Sequence, residues 1–361
     1  MSRTSLMIKD HLRLLAQGGP GFVNIALTNA CNARCRFCSF PQVKPGDRVM
    51  ADPERLRRGL HLLAAAGVRY VVYTGGEPLL YPHLLEILSE SRELGLQNLL
   101  CTNGRLLNRD KVDTLQKAGV SHLIISIDAA SASEHDDHRG FPGLCGAIQD
   151  LLPQIKRSGM KPVASVTISR LFSDFEVLGK FLAHLGFELV TFSYPLTTLN
   201  SSYLSYASHE SVNFSDPEMV DLFQRLKSWM PQAPVTVLNP SLAMTELQRQ
   251  LCGQPVRFPC LAGYKYFYID WHLNVYRCHY LQKVLGPVED FAALPRVRDD
   301  CHACTIDCFR DASVQQYLAV VLGDAWGELR QGKWSQALRR LFHPYNFLSL
   351  GAILESRHWL G

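Results

Sequence analysis

A chain of 361 residues, 47% hydrophobic and 19% charged, can bury a large core and is long enough for one large domain with one or two small ones. A formal charge of only +4, with no long Lys/Arg block, excludes the electrostatic footprint of a nucleic-acid binder. No stretch approaches the roughly 20 apolar residues of a membrane span, so the sequence predicts a soluble, cytoplasmic protein.

The chain opens on MSRTSLMIKDHLRLLA, amphipathic and interrupted by Lys9, Asp10, His11 and Arg13, which lacks the apolar core of a signal peptide and reads as a helix over 1–20. From 21 to 200 strand-like and helix-like runs alternate. Strands are expected at 22–27, 69–74, 96–102, 121–127, 161–168 and 187–193, with helices at 53–67, 81–95, 109–119 and 173–186, each ending on a glycine. This alternation predicts a parallel sheet of βαβ units with right-handed crossovers. Six strands make an incomplete, TIM-like (β/α)6 barrel, whose functional residues belong at the C-terminal strand ends.

The unusual polar residues fall at those ends. Cys31, Cys35 and Cys38 follow the first strand, Gly75, Gly76, Glu77 and Pro78 the second, and Thr102, Asn103 and Gly104 the third. Ser126 and Asp128 close the fourth. Each alone could be a turn or a cap, but a run of them on successive strands argues for a site. Beyond the barrel, 201–254 reads as a connecting segment with a Ser-rich start and an amphipathic helix. Residues 255–310 read as a small α+β domain organised by metal through its cysteines, and 311–361 as a helical tail. The tail carries Trp326, Trp334, Phe342, Phe347 and Trp359 near Arg330, Arg339 and Arg340, which suits a cap on the barrel or a membrane-surface contact.

Eleven cysteines without a secretion signal point to thiolate metal sites rather than disulfides. Cys101, Cys145 and Cys252 stand alone and read as buried apolar thiols. Structural zinc closes its shell with four protein ligands, whereas three cysteines spaced C-x3-C-x2-C can hold three corners of a [4Fe-4S] cube and leave one iron open.

The spacing of Cys31, Cys35 and Cys38, the aromatic Phe37 beside the last, and Gly75-Gly76-Glu77-Pro78 together resemble the radical S-adenosylmethionine superfamily over roughly residues 20–200. The resemblance implies that the open iron chelates the methionine amino and carboxylate groups of S-adenosylmethionine. The backbone of Gly75, Gly76 and Glu77 would then receive the amino group, with Pro78 fixing the turn. Ser126 and Asp128 correspond to ribose-binding positions, with Asn103 a further candidate. HDDHRG (135–140) is similar to a stretch in relatives whose arginine, here Arg139, meets the carboxylate; the alternative is a solvated charged loop.

Cys260, Cys278, Cys301, Cys304 and Cys308 follow the barrel as C-x17-C-x22-C-x2-C-x3-C. Tetrahedral zinc also suits two cysteines plus a C-x2-C pair. In this context the pattern resembles the Twitch and SPASM extensions of the superfamily, although Leu273 stands where a glycine is usual. The resemblance implies one auxiliary iron–sulfur cluster on Cys260, Cys278, Cys301 and Cys304, with Cys308 an alternative to one of the last pair.

The expected activity is reductive cleavage of S-adenosylmethionine to a 5'-deoxyadenosyl radical that abstracts hydrogen from substrate. Net oxidation of a small polar metabolite is expected, supported by an electron donor such as flavodoxin or ferredoxin. Peptide or lipid modification, and epimerisation with Cys252 or Cys308 as hydrogen donor and Tyr194 as a weaker one, are the alternatives. The rival from another class is a binding or regulatory protein that uses both cysteine groups structurally.

Overall fold

The computed structural model of the chain describes residues 20–195 and 209–357. The helix expected over 1–20, most of the Ser-rich connection and Trp359 lie outside them. Strands β1 (Phe22–Ala26), β2 (Tyr70–Thr74), β3 (Gln97–Thr102), β4 (Val120–Ser126), β5 (Lys161–Thr167) and β6 (Leu189–Ser193) pair in chain order, every neighbour parallel. All six lie within two residues of their expected places.

Helices α1 (Pro53–Ala65), α2 (Leu84–Glu93) and α3 (Arg109–Lys117) make the first crossovers. Side-chain caps set two of their starts: Asp52 accepts from the Arg55 N–H and Asn108 from the Lys111 N–H. The helix expected from 81 starts only at Leu84, because Pro78–Leu80 form a 3-10 turn closed by the Tyr81 N–H. Between β4 and β5 stand two helices the sequence did not offer, α4 (Ala132–Arg139) and α5 (Leu144–Arg157). Then α6 (Phe175–Leu185) leads to β6. Apolar faces such as Leu56, Leu60 and Leu63 of α1 pack with Ile25, Leu100 and Ile125 of the strands into the main core. A smaller set, with Tyr70, Leu99, Ile124, Val163 and Leu238, lies on the strands' other face.

Helices α7 (Asp216–Trp229) and α8 (Ser241–Leu251) flank β7 (Thr236–Val237), which pairs parallel with β6. The cysteine-bearing segment then adds to the opposite edge. β8 (Tyr266–Ile269) pairs parallel with β1, from Phe22 opposite Tyr266 to Ile25 opposite Ile269. β9 (Asn274–Tyr276) and β10 (Val284–Pro287) continue antiparallel. The small α+β segment thus extends the barrel's sheet instead of forming a separate layer. Helices α9 (Asp307–Arg330), α10 (Trp334–Leu341) and α11 (Pro344–Glu355) close the described chain. α9 begins before the expected domain limit, so Cys308 lies in its first turn. Among the described residues, no helix is long and apolar enough to cross a membrane.

Leu273, in the β8–β9 turn, has φ +64°, a left-handed backbone that favours glycine. A fully buried leucine therefore holds a backbone conformation that favours glycine. Leu273→Gly would relieve about 1–2 kcal/mol of backbone strain but remove a core side chain worth about 2–5 kcal/mol. A net loss of about 1–3 kcal/mol is expected in urea unfolding.

Candidate functional site

The first cysteine loop is held by its own backbone. The Thr28 hydroxyl donates to the Val49 carbonyl (2.7 Å) and accepts from the Ala30 N–H (3.0 Å). Across it runs the end of β2: the Gly76 N–H donates to Thr28 O and the Glu77 N–H to Ala30 O, both at 2.8 Å. A Cβ on Gly75 would collide with the Thr28 carbonyl oxygen and one on Gly76 with that of Ala30, and Gly75 also has φ +128°. The glycines accordingly let this turn lie flat against the cysteine loop.

Glu77 is buried and ties three strand-end groups together, accepting from Thr102 Oγ1 (2.7 Å), the Asn103 N–H (2.8 Å) and the Leu79 N–H (3.0 Å). Burial pushes its carboxyl up, against the pull of these donors. Asn103 Nδ2 donates to Asn32 Oδ1 (2.8 Å) and lies 4.0 Å from Cys31 Sγ. The ring of Phe37 sits 4.6 Å from that of His138, beside buried Cys35.

HDDHRG is not a solvated loop. It is the second half of α4 and its C-cap, with His135, Asp136, His138 and Arg139 buried. Arg139 donates through Nε (2.7 Å) and Nη2 (2.6 Å) to Oδ2 of Asp128. Burial alone would raise the Asp128 carboxyl, and the Arg139 guanidinium leads the charges that reverse this and hold it below its usual value. This corrects the expectation for Asp128. The residue is fully buried and off the cavity wall, so the acceptor that β4 presents to the cavity is Ser126, while Arg139 reaches the wall.

That cavity, about 580 Å3, runs along the inside of the barrel, from Phe22 and Tyr70 at the strand starts to the groups at the C-terminal strand ends. Cys31, Cys35 and Cys38 line its mouth together with Gly75, Gly76 and Glu77. Hydroxyls of Ser165, Thr167, Thr191 and Ser193 line it further along, from alternating positions of β5 and β6. Two carboxylates one helical turn apart, Asp307 and Asp311, face it from α9. Asp311 Oδ2 accepts from Tyr194 Oη (3.1 Å) and Asn239 Nδ2 (2.7 Å), while its Oδ1 is buried without a partner.

Cys260, Cys278, Cys301 and Cys304 converge beside the β8–β9 hairpin, where the Cys260 N–H donates to the Cys301 carbonyl (3.1 Å). The two thiol sets border one apolar cluster that includes Phe40, Tyr266 and Tyr268. Cys308 is outside this group. It faces the barrel cavity, 3.7 Å from Asp307 Oδ2, which removes it as a substitute for Cys301 or Cys304. Cys252 is exposed at the end of α8 and does not line the cavity, so it is misplaced for a hydrogen donor. Cys101, expected to be an inert core thiol, lines the cavity from β3 instead, whereas Cys145 is buried as expected.

Neither thiol set is gathered around a single ion. Tetrahedral zinc with Zn–S near 2.3 Å needs sulfur atoms about 3.8 Å apart. Among the described residues neither set brings three sulfurs within 4.8 Å of one another. Cys35, Asp128 and His138 do approach that closely, but the Arg139 guanidinium already occupies the carboxylate. Burial pushes the Cys35 thiol up to about 11, Cys38 to about 12 and Cys278 to about 11. Such thiols need a cationic inorganic core to become ligands.

Comparison with known proteins agrees with this geometry. The family model of the radical SAM superfamily matches residues 25–204. The AdoMet-dependent heme synthase of Methanosarcina barkeri is 34% identical over 124 residues, 34% of this chain and 36% of that protein. The AdoMet-dependent heme synthase of Oleidesulfovibrio alaskensis is 25% identical over 303 residues, 77% of this chain and 75% of that one. The Streptococcus suis SuiB structure bound to S-adenosylmethionine shares the fold, with a TM-score of 0.59 over 80% of this chain and 68% of that one, at 15% identity.

Proposed function

We propose, from the match of residues 25–204 to the radical SAM superfamily model, an oxidase of a small polar substrate whose chemistry starts at Cys31, Cys35 and Cys38. Members of that superfamily use a [4Fe-4S] cluster and S-adenosylmethionine. The observation that carries the reading is the placement of three thiols, Cys31, Cys35 and Cys38, together on the wall of the barrel cavity beside Gly75, Gly76 and Glu77. When bound, the groups supply reductive cleavage of S-adenosylmethionine to a hydrogen-abstracting radical at the first thiol set and a one-electron acceptor at the second, Cys260, Cys278, Cys301 and Cys304.

The chain's own residues do the rest. Arg139 and the turn at Gly75, Gly76 and Glu77 face the cofactor's charged end, and Ser126 and Asn103 offer it hydrogen-bonding groups. The hydroxyl wall of β5 and β6 and the unpartnered Asp311 Oδ1 favour a substrate rich in hydrogen-bond donors. Oxidation by two electrons removes a hydrogen atom, then one electron and one proton. Asp307, whose carboxyl burial pushes up to about 6, is ionised at neutral pH and takes that proton. An electron donor of the flavodoxin or ferredoxin class and a cytoplasmic setting complete the proposal.

The test is anaerobic reconstitution with iron and sulfide, followed by assay of 5'-deoxyadenosine under reducing conditions. Iron–sulfur absorbance and cofactor cleavage are expected; a protein that takes up only zinc ends the enzymatic reading. With the substrate in hand, the product should be two electrons more oxidised, with one 5'-deoxyadenosine per turnover. Solvent deuterium in an unoxidised product, lost in Cys308→Ala, would instead establish epimerisation.

A further inference from the structure

Helix α11 is turned inside out. Its buried residues are Asn346, Ser349 and Ala352, while Phe347 and Leu354 are 66% and 56% exposed and Leu350 faces out between them. The inward polar stripe is fixed by hydrogen bonds. Ser349 Oγ donates to the Val314 carbonyl (2.7 Å) and accepts from the Leu318 N–H (3.2 Å), both on α9. Asn346 Nδ2 donates to the carbonyls of Arg340 (2.9 Å) and Leu341 (2.7 Å). The apolar stripe is therefore held outward.

A second stripe runs along α10, where Trp334, Leu338 and Phe342 recur every four residues, Trp334 at 65% and Phe342 at 72% exposure. Trp326 of α9 is exposed as well, with the Arg330 guanidinium 5.2 Å above its ring. Patches of this extent mark interaction sites.

The charge around the stripes identifies the partner. Asp324 is paired with Arg298 and Arg340, and Glu328 with Arg340. Glu355 accepts from Ser241. Arg330, Lys333 and Arg339 make no ion pair among the described residues, so the exposed charge is positive. A two-fold contact between copies of this face would bring those cations together. Exposed Trp, Phe and Leu rimmed by Lys and Arg match the interfacial zone of an anionic bilayer.

We propose that the outward faces of α10 and α11, with Trp326, dock this protein on an anionic membrane surface without crossing it. Ile353 of α11 and Ser356 just beyond it also line the barrel cavity, so docking sets that wall of the cavity beside the bilayer.

The test is sedimentation of the full chain with vesicles of phosphatidylglycerol and phosphatidylcholine in equal parts, against pure phosphatidylcholine. Binding to the anionic vesicles is expected, weakened by added salt. Phe342→Glu and Phe347→Glu should each lower it about tenfold or more, the loss of one buried aromatic side chain. Both residues are exposed, and unchanged thermal unfolding shows that the variants fold. Absence of binding, or binding by both variants as strong as the parent's, overturns the proposal. So does a dimer in analytical ultracentrifugation that either variant dissociates, which would assign the face to a second copy, or binding that disappears only on deletion of residues 1–19.

Discussion

Alanine in place of Cys31, Cys35 and Cys38 together is expected to abolish 5'-deoxyadenosine formation and to lower bound iron by about four atoms per chain. The loss is complete because no other thiol set can leave an iron open. The four cysteines beside the β8–β9 hairpin suffice to close a shell, and Cys101 and Cys308 stand on the cavity wall apart from them. The fold should survive, since the loop is anchored by Thr28, Gly76 and Glu77 through backbone hydrogen bonds. Iron bound by the second set should persist. Cofactor cleavage retained in the triple variant would sink the assignment of the reactive cluster.

Asp128→Ala should cost about 3–5 kcal/mol of stability, because it leaves the buried guanidinium of Arg139 without its counter-charge. Urea unfolding measures this, and a loss under about 1 kcal/mol would mean that water reaches the arginine. The pH dependence carries a definite sign. The folded Asp128 carboxyl is held below the unfolded value near 3.9. Its contribution is therefore whole above that pH and disappears as pH falls through the lower folded value. The parent should lose stability more steeply than Asp128→Ala in that acid range and run parallel to it near neutrality. Arg139→Lys keeps the charge but loses the planar fork, and weaker S-adenosylmethionine binding with both clusters intact is expected in calorimetry. Unchanged affinity would confine Arg139 to holding Asp128.

The strands were legible because each is a short apolar run bounded by turn residues, and the cysteine loop because its spacing has few other uses. Helix α4 was not, because ASEHDDHR has almost no apolar face. Its buried polar groups instead face Asp128 before the helix, where His135 Nδ1 accepts from the Asp128 N–H at 3.0 Å and Arg139 Nε donates to the carboxylate. The direction of Cys101 was hidden for a related reason: both faces of a barrel strand are apolar, so periodicity does not separate the core side from the cavity side. Asp307 and Asp311 carried a readable signal, two acids four apart at a helix start, but the helix was placed too late to connect them with the barrel. Leu273 read as a departure from the glycine pattern, and its left-handed backbone could not be read from its side chain.

The parallel pairing of β1 with β8 also governs how the chain can reach this state. β1 is made among the first strands, yet the partner for its outer edge, Tyr266–Ile269, is synthesised only after the whole barrel and both flanking helices. Until then the nascent barrel carries an unpaired strand beside the three cysteines, a template for pairing with other chains. Closing that edge is a contact of very high sequence separation and so a slow one. While β8 is missing, the loop of Cys31, Cys35 and Cys38 borders open sheet, and afterwards Tyr266 joins Phe40 in the apolar cluster against Cys31 and Cys38.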